Sequence, residues 1–226
     1  MKVFLSLLLA LLITGIAMDH AHAQPPPVQV TTSQGSGWIL LSIKDLNNAL
    51  RQAGYPALPE STPIYGSTSF FPQEDRRWQL GLTALFWNNK GGETVALDAS
   101  FFGVAFDWTL SRLSAGRISA GLTGGFDLSQ LSIRKGLVFS FEDVLQPSEG
   151  QFSSVQRWGV WGSPYLQYEL SVLQSNFQVR VWAGLMLTPW NSTWSQLGST
   201  FDAIDFEGPP NNIGGPFGMA EISFGF

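Results

Sequence analysis

Phe102-Gly103-Val104-Ala105-Phe106-Asp107-Trp108-Thr109-Leu110-Ser111 decides the architecture. Phe102, Val104, Phe106, Trp108 and Leu110 alternate with Gly103, Ala105, Asp107, Thr109 and Ser111. An extended chain therefore carries bulky apolar groups on one face and small or polar groups on the other. Upstream, Trp78, Leu80, Leu82, Ala84 and Phe86 oppose Arg77, Gln79, Gly81 and Thr83, a pattern that ends less cleanly with Leu85 and Trp87. Downstream, Ile118, Ala120, Leu122, Gly124, Phe126 and Leu128 oppose Arg117, Ser119, Gly121, Thr123 and Asp127. The rule returns where Trp158, Val160, Leu166, Tyr168 and Leu170 face away from Ser163, Gln167 and Glu169. It returns again where Phe177, Val179, Val181, Ala183 and Leu185 face away from Gln178, Arg180 and Gly184. Strands of this length exceed the roughly five or six residues usual in soluble sheets, and match the roughly 9–11 tilted residues with which a strand crosses a bilayer.

Composition agrees. Of 226 residues 13% are charged and 44% hydrophobic, about half the usual charged share at a normal apolar one. Disordered chains show the opposite balance. A net charge of −5 without a basic run argues against nucleic acid as a partner.

Residues 1–23 read as an export signal: Met1-Lys2, an apolar run from Val3 to Ala17, then Ala21-His22-Ala23, with cleavage expected after Ala23. His20 and His22 are the only histidines and Cys is absent. The exported chain then has neither residue type, which removes the parts for catalytic triads, thiolate chemistry and His/Cys metal sites. We expect no enzyme, no catalytic residue, no cofactor and no metal. Residues 24–41 read as a Pro-rich, flexible leader. Residues 42–63 read as a short helix with Ser42 as N-cap and Gly54 as stop, followed by a proline-marked linker; its stripe of Ile43, Leu46, Ala49 and Leu50 reads as a docking face against the rest of the protein. Residues 64–226 read as an all-β, closed antiparallel transmembrane barrel.

Which face meets lipid is decided by bulk. The faces with Trp78, Leu80, Leu82, Phe102, Val104, Phe106, Leu122, Val160 and Val181 are large and apolar, and the opposite faces small and polar, as a narrow barrel interior requires. Trp78, Trp108, Trp158, Trp190 and Trp194 lie near strand ends and suit interfacial girdles. Asp98, Asp107, Arg117, Asp127, Glu142, Glu169 and Arg180 are assigned to the polar, lumenal face. A tight turn at Gln174-Ser175 predicts a cross-strand ion pair between Glu169 and Arg180. The lumenal charges read as a mutually neutralised core in preference to an ion path, since isolated buried charges are costly. The acidic stretch Phe201–Glu207 reads as a solvated loop before a Ca²⁺ site, because it lacks an ordered ligand spacing.

The chain ends Met219-Ala220-Glu221-Ile222-Ser223-Phe224-Gly225-Phe226. This resembles the last strand of bacterial outer-membrane β-barrel proteins, small barrels of the OmpX and OmpW kind in general, with Ile222, Phe224 and Phe226 in the alternating apolar places. The resemblance implies recognition by the barrel-assembly machinery, an outer-membrane location, the lipid bilayer as partner, and a periplasmic C-terminus.

Even strand numbers then suggest eight strands (alternative ten), near 64–71, 76–88, 94–111, 118–131, 137–144, 156–172, 176–189 and 216–226. On that count Asn191–Gly215 and Gln146–Ser153 are extracellular, the turns Asn88–Gly92, Arg134–Gly136 and Gln174-Ser175 periplasmic, and the helix periplasmic. The function expected is structural, or binding through the loops around 145–154 and 190–215, with a lumen closed by side chains. The extracellular ligand is unknown. The rivals are a narrow porin-like channel for small solutes and a soluble, lipocalin-like barrel holding an apolar ligand.

Overall fold

The computed structural model describes residues 30–71, 77–113, 116–134, 152–171, 177–192, 194–196, 205–206 and 213–225. Its elements are β1 (Thr31–Leu40), α1 (Lys44–Gln52), β2 (Ser61–Phe71), β3 (Trp78–Gly91), β4 (Val95–Leu113), β5 (Gly116–Arg134), β6 (Phe152–Ser171), β7 (Phe177–Leu185), β8 (Leu187–Asn191), β9 (Trp194–Gln196), β10 (Asp205–Phe206) and β11 (Pro216–Gly225). Strands β1 to β7 pair each with the next, β7 pairs β11, and β11 pairs back onto β1, all antiparallel. The ring is a closed eight-stranded barrel. Past Met186, β8 continues along β6; β9 extends that edge and β10 pairs β9.

The barrel begins at Thr31, so residues 24–41 are not wholly a leader. Strand β1 escapes a periodicity search because Ser33, Gly35 and Gly37 face inward and Gln34 and Ser36 outward, which leaves no apolar alternation until Trp38. The strand placed at 137–144 lies outside the described residues, and β5 pairs β6 directly, so no strand stands between them. Counting one there reverses the direction of every strand before it. Hence the Asn88–Gly92 turn shares an end with Arg134 of β5 and Asn191 of β8, opposite the end reached by Thr31 and Gly225. We call the two the helix end and the terminus end.

Helix α1 lies between β1 and β2 at the helix end, not before the barrel. Ile43 occupies the cap position with no side-chain capping bond, while the backbone of Ser42 bonds Gly214. Gly54 closes the helix at φ 82°, a left-handed conformation that glycine adopts without strain. Leu46, Asn47 and Leu50 are its buried residues; Ala49 is exposed. Ile43, Leu46 and Leu50 enter one apolar core with Ile39, Ile64, Leu85, Leu97, Phe101, Trp161, Met186 and Phe217. The amide of Asn47 donates to the carbonyl of Leu58 at 2.9 Å and accepts from its N–H at 2.8 Å, tying the linker to the helix. The helix is thus a lid over an apolar plug.

Candidate functional site

Toward the terminus end the lumen changes character. Arg117, Glu169, Arg180 and Glu221 stand directly opposite one another on β5, β6, β7 and β11, and the row ends at Gly35 on β1. All four point inward and alternate in sign. Glu169 Oε2 accepts from Arg117 Nη2 at 2.9 Å and from Arg180 Nε at 2.7 Å. Glu221 Oε2 accepts from Ser33 Oγ at 2.6 Å. A Cβ at position 35 would lie 2.5 Å from Glu221 Cγ, so a glycine makes the space that Glu221 occupies. The Arg180 guanidinium also lies over Phe70, 5.1 Å from the ring centre, a contact that strengthens when desolvated.

Beside this ladder, Gln79 Nε2 donates to Asp107 Oδ2 at 3.1 Å, and the Tyr165 hydroxyl lies 3.3 Å from Asp107 Oδ1. A cavity of about 10 Å³ among Thr68, Thr123, Tyr165, Gln167, Trp182 and Glu221 is the size of one water molecule. On the helix side, Asp127 accepts from Ser129 at 3.3 Å, and Arg157 lies over Trp194, 5.3 Å from the ring centre. The lumen closes above through edge-to-face rings: Phe101 on Trp161 at 5.6 Å, Tyr165 on Trp182 at 5.3 Å and Trp182 on Phe217 at 5.1 Å. Among the described residues no three His, Cys, Asp or Glu side chains are placed to hold a metal ion.

Asp107, Arg117, Asp127, Glu169 and Arg180 all lie inside the barrel. Asp98 does not. Its even number on β4 puts it on the outward face with Phe102, where Asn88 donates to its carboxylate at the helix end. Glu142 and Phe226 lie outside the described residues, as does most of Phe201–Glu207. Trp194 is buried on β9 and is not part of a girdle; Trp108, Trp158 and Trp190 are exposed outward and Trp78 is half-buried. Glu221 and Ser33 were missed as lumenal partners. For Glu221 the signal was present, since Ala220 and Ile222 face out and the residue between them must face in.

The outer surface is the inverse of the lumen. Leu80, Leu82, Phe102, Val104, Phe106, Leu122, Val160 and Val181 are all exposed, Val104 by 61% and Leu122 by 56%. These side chains are the ones a lipocalin-like cup would need inside. On β5 the outward apolar run from Ile118 to Leu128 gives way to Gln130 and Ser132, which hydrogen-bond with Ser154 on β6. Ten steps at roughly 3.3 Å, tilted by about 35–45°, make a belt about 25 Å tall, the height of a transmembrane barrel's apolar band.

No protein-family model matches this chain, and no curated protein matches its sequence. Solved structures similar in fold include Ail, the attachment invasion locus protein of Yersinia pestis, at 8% identity and TM-score 0.49, covering 88% of this chain and 99% of that one. The outer membrane protein OprG of Pseudomonas aeruginosa is similar at 14% identity and TM-score 0.47, covering 88% and 96%.

Proposed function

We propose that this protein is a small outer-membrane β-barrel with a structural or loop-mediated binding role, its lumen sealed by its own side chains. The carrying observation is the inversion just described: a belt about 25 Å tall of exposed apolar residues around an interior that carries the charges, with Glu169 bridging Arg117 and Arg180. In water such a surface would drive aggregation; in lipid it is the ground state. No helix among the described residues is long and apolar enough to cross a membrane, so in this reading the strands cross. The chain is read as no enzyme, since the proposed cleavage after Ala23 would leave it without histidine. Ile222, Phe224 and Phe226 are proposed to be read by the assembly machinery, which places the terminus end in the periplasm and α1 with the 135–151 and 192–215 connections outside the cell.

The test is made in vesicles. The protein should require detergent for extraction, show a heat-modifiable gel mobility, and have its tryptophan emission quenched by brominated lipid. Leu122→Arg should cost about 2–4 kcal/mol of bilayer stability, as charge at the midplane does. Recovery in the soluble fraction would overturn the membrane reading, and stable single-channel conductance would overturn the sealed lumen in favour of a narrow pore.

A further inference from the structure

The belt has one gap. On β1 and β2 the outward residues between Trp38 and Tyr65 on the helix side and Phe71 at the terminus-end rim are Thr32, Gln34, Ser36, Ser67 and Ser69, where the other strands carry mostly Leu, Ile, Val, Phe or Trp. Thr32 stands opposite Ser69 and Gln34 opposite Ser67, so the five form one patch. On one side of the patch the neighbours on β11 and β3 are small, Ala220 opposite Ser36 and Ala84 opposite Ser67, while Ile222 opposite Gln34 and Leu82 opposite Ser69 are large and border it.

The patch lies at mid-height. From Gln34 the register runs through Ser67, Ala84, Phe102, Phe126 and Val160 to Trp190, climbing toward the helix end. At a tilt near 40° and a strand spacing of about 4.8 Å, each step climbs about 3 Å. Correcting for that climb brings Gln34 level with Phe106, Leu122 and Leu166, the middle of the belt on those strands. A glutamine there is too short to reach either interface. Thr32 and Ser69 hydroxyls lie 3.2 Å apart and satisfy each other, but the Gln34 amide makes no hydrogen bond among the described residues. Lipid tails cannot supply one, and an unsatisfied amide in hydrocarbon is costly.

Resting on the membrane reading, we infer that this patch is where a second copy of the chain docks in the plane of the bilayer. The chemistry is self-complementary. Gln34, Ser36 and Ser67 are uncharged and each both donates and accepts, so a two-fold axis along the membrane normal lets each copy satisfy the other without opposite charges. Ala84 and Ala220 let the two walls approach closely, as small residues do in membrane interfaces.

The chain has no cysteine, so single-cysteine variants report cleanly. The full chain carrying Ser36→Cys is folded into phosphatidylcholine vesicles and oxidised, beside Leu122→Cys on the opposite wall of the barrel. We expect Ser36→Cys to form at least several-fold more disulfide-linked dimer than Leu122→Cys, persisting as lipid is added, and to lose it when combined with Gln34→Leu. Equal cross-linking at the two faces, or none in protein that floats with the vesicles, overturns the dimer and leaves the membrane reading intact. Failure to float overturns both.

Discussion

Two halves of one lumen solve the same packing problem with different chemistry. Toward the helix end the interior is mainly Leu85, Leu97, Phe101, Trp161 and Phe217, built like the core of a soluble protein and covered by α1, with Asp127 and Arg157 buried on the β5 and β6 side of it. Toward the terminus end it is Arg117, Glu169, Arg180 and Glu221 in a row, with Asp107, Gln79 and Ser33 around them. The apolar half excludes water only while something covers its mouth, so it needs a lid. The polar half needs none, because Glu169 is held by two arginines and the groups left without a partner, Arg117 Nε, Arg180 Nη1 and Glu221 Oε1 among them, can take water from the rim. Non-directional burial thus seals one end, and directed charge pairing fixes the strand register at the other.

Breaking the ladder should have the largest effect. Arg180→Met leaves Glu169 short of its 2.7 Å partner and Glu221 facing no cation, and should cost about 3–5 kcal/mol, the usual result of orphaning a buried charge. Denaturant unfolding in micelles, followed by tryptophan emission, measures it. Replacing the row whole, with Arg117→Met, Glu169→Leu, Arg180→Met and Glu221→Leu together, should recover most of that loss. If the whole replacement is as damaging as the single one, the polar half has a role beyond filling and register.

In the apolar half the matching change is Leu85→Ala, at a side chain with no exposure. It should cost about 2–5 kcal/mol, set by how far the surrounding rings collapse into the space. Leu82→Ala, three residues away on the outer face, should cost less in the same assay, since the detergent tails of the micelle refill what the methyl groups leave. A reversed order would mean that the belt is packed against something more rigid than lipid.

The alternation made the barrel legible from Trp78 onward, and it made Glu169 and Arg180 legible as a pair. It did not make the two halves legible. Leu85 and Trp87 spoil the alternation because both faces of β3 are apolar near the helix end, and that irregularity was the trace of the plug. Strand β1 was hidden for the complementary reason: neither of its faces is apolar over Ser33–Gly37. Asp98 was misassigned by residue type alone, although its even number already placed it with Phe102. At that height the outward face has left the belt, and a carboxylate there meets Asn88 and water.

The smallest effect expected is at the lid itself. Asn47 holds both the N–H and the carbonyl of Leu58, and Leu58 belongs to the same apolar core as Leu46 and Leu50. Asn47→Ala leaves two buried backbone groups without partners, a loss of about 1–3 kcal/mol when water cannot reach them. Here water can reach them, by the local opening of α1 and its linker, so the loss should appear as opening of the lid and not of the barrel. Amide hydrogen exchange distinguishes the two: protection at Leu58 and along α1 should fall by one to two orders of magnitude, while the amides of β4 and β5 keep theirs. Equal loss of protection in the lid and the barrel wall would mean that the apolar half and its cover unfold as one unit. The lid would then be part of the plug, and the contrast between the halves would lie in how each is assembled.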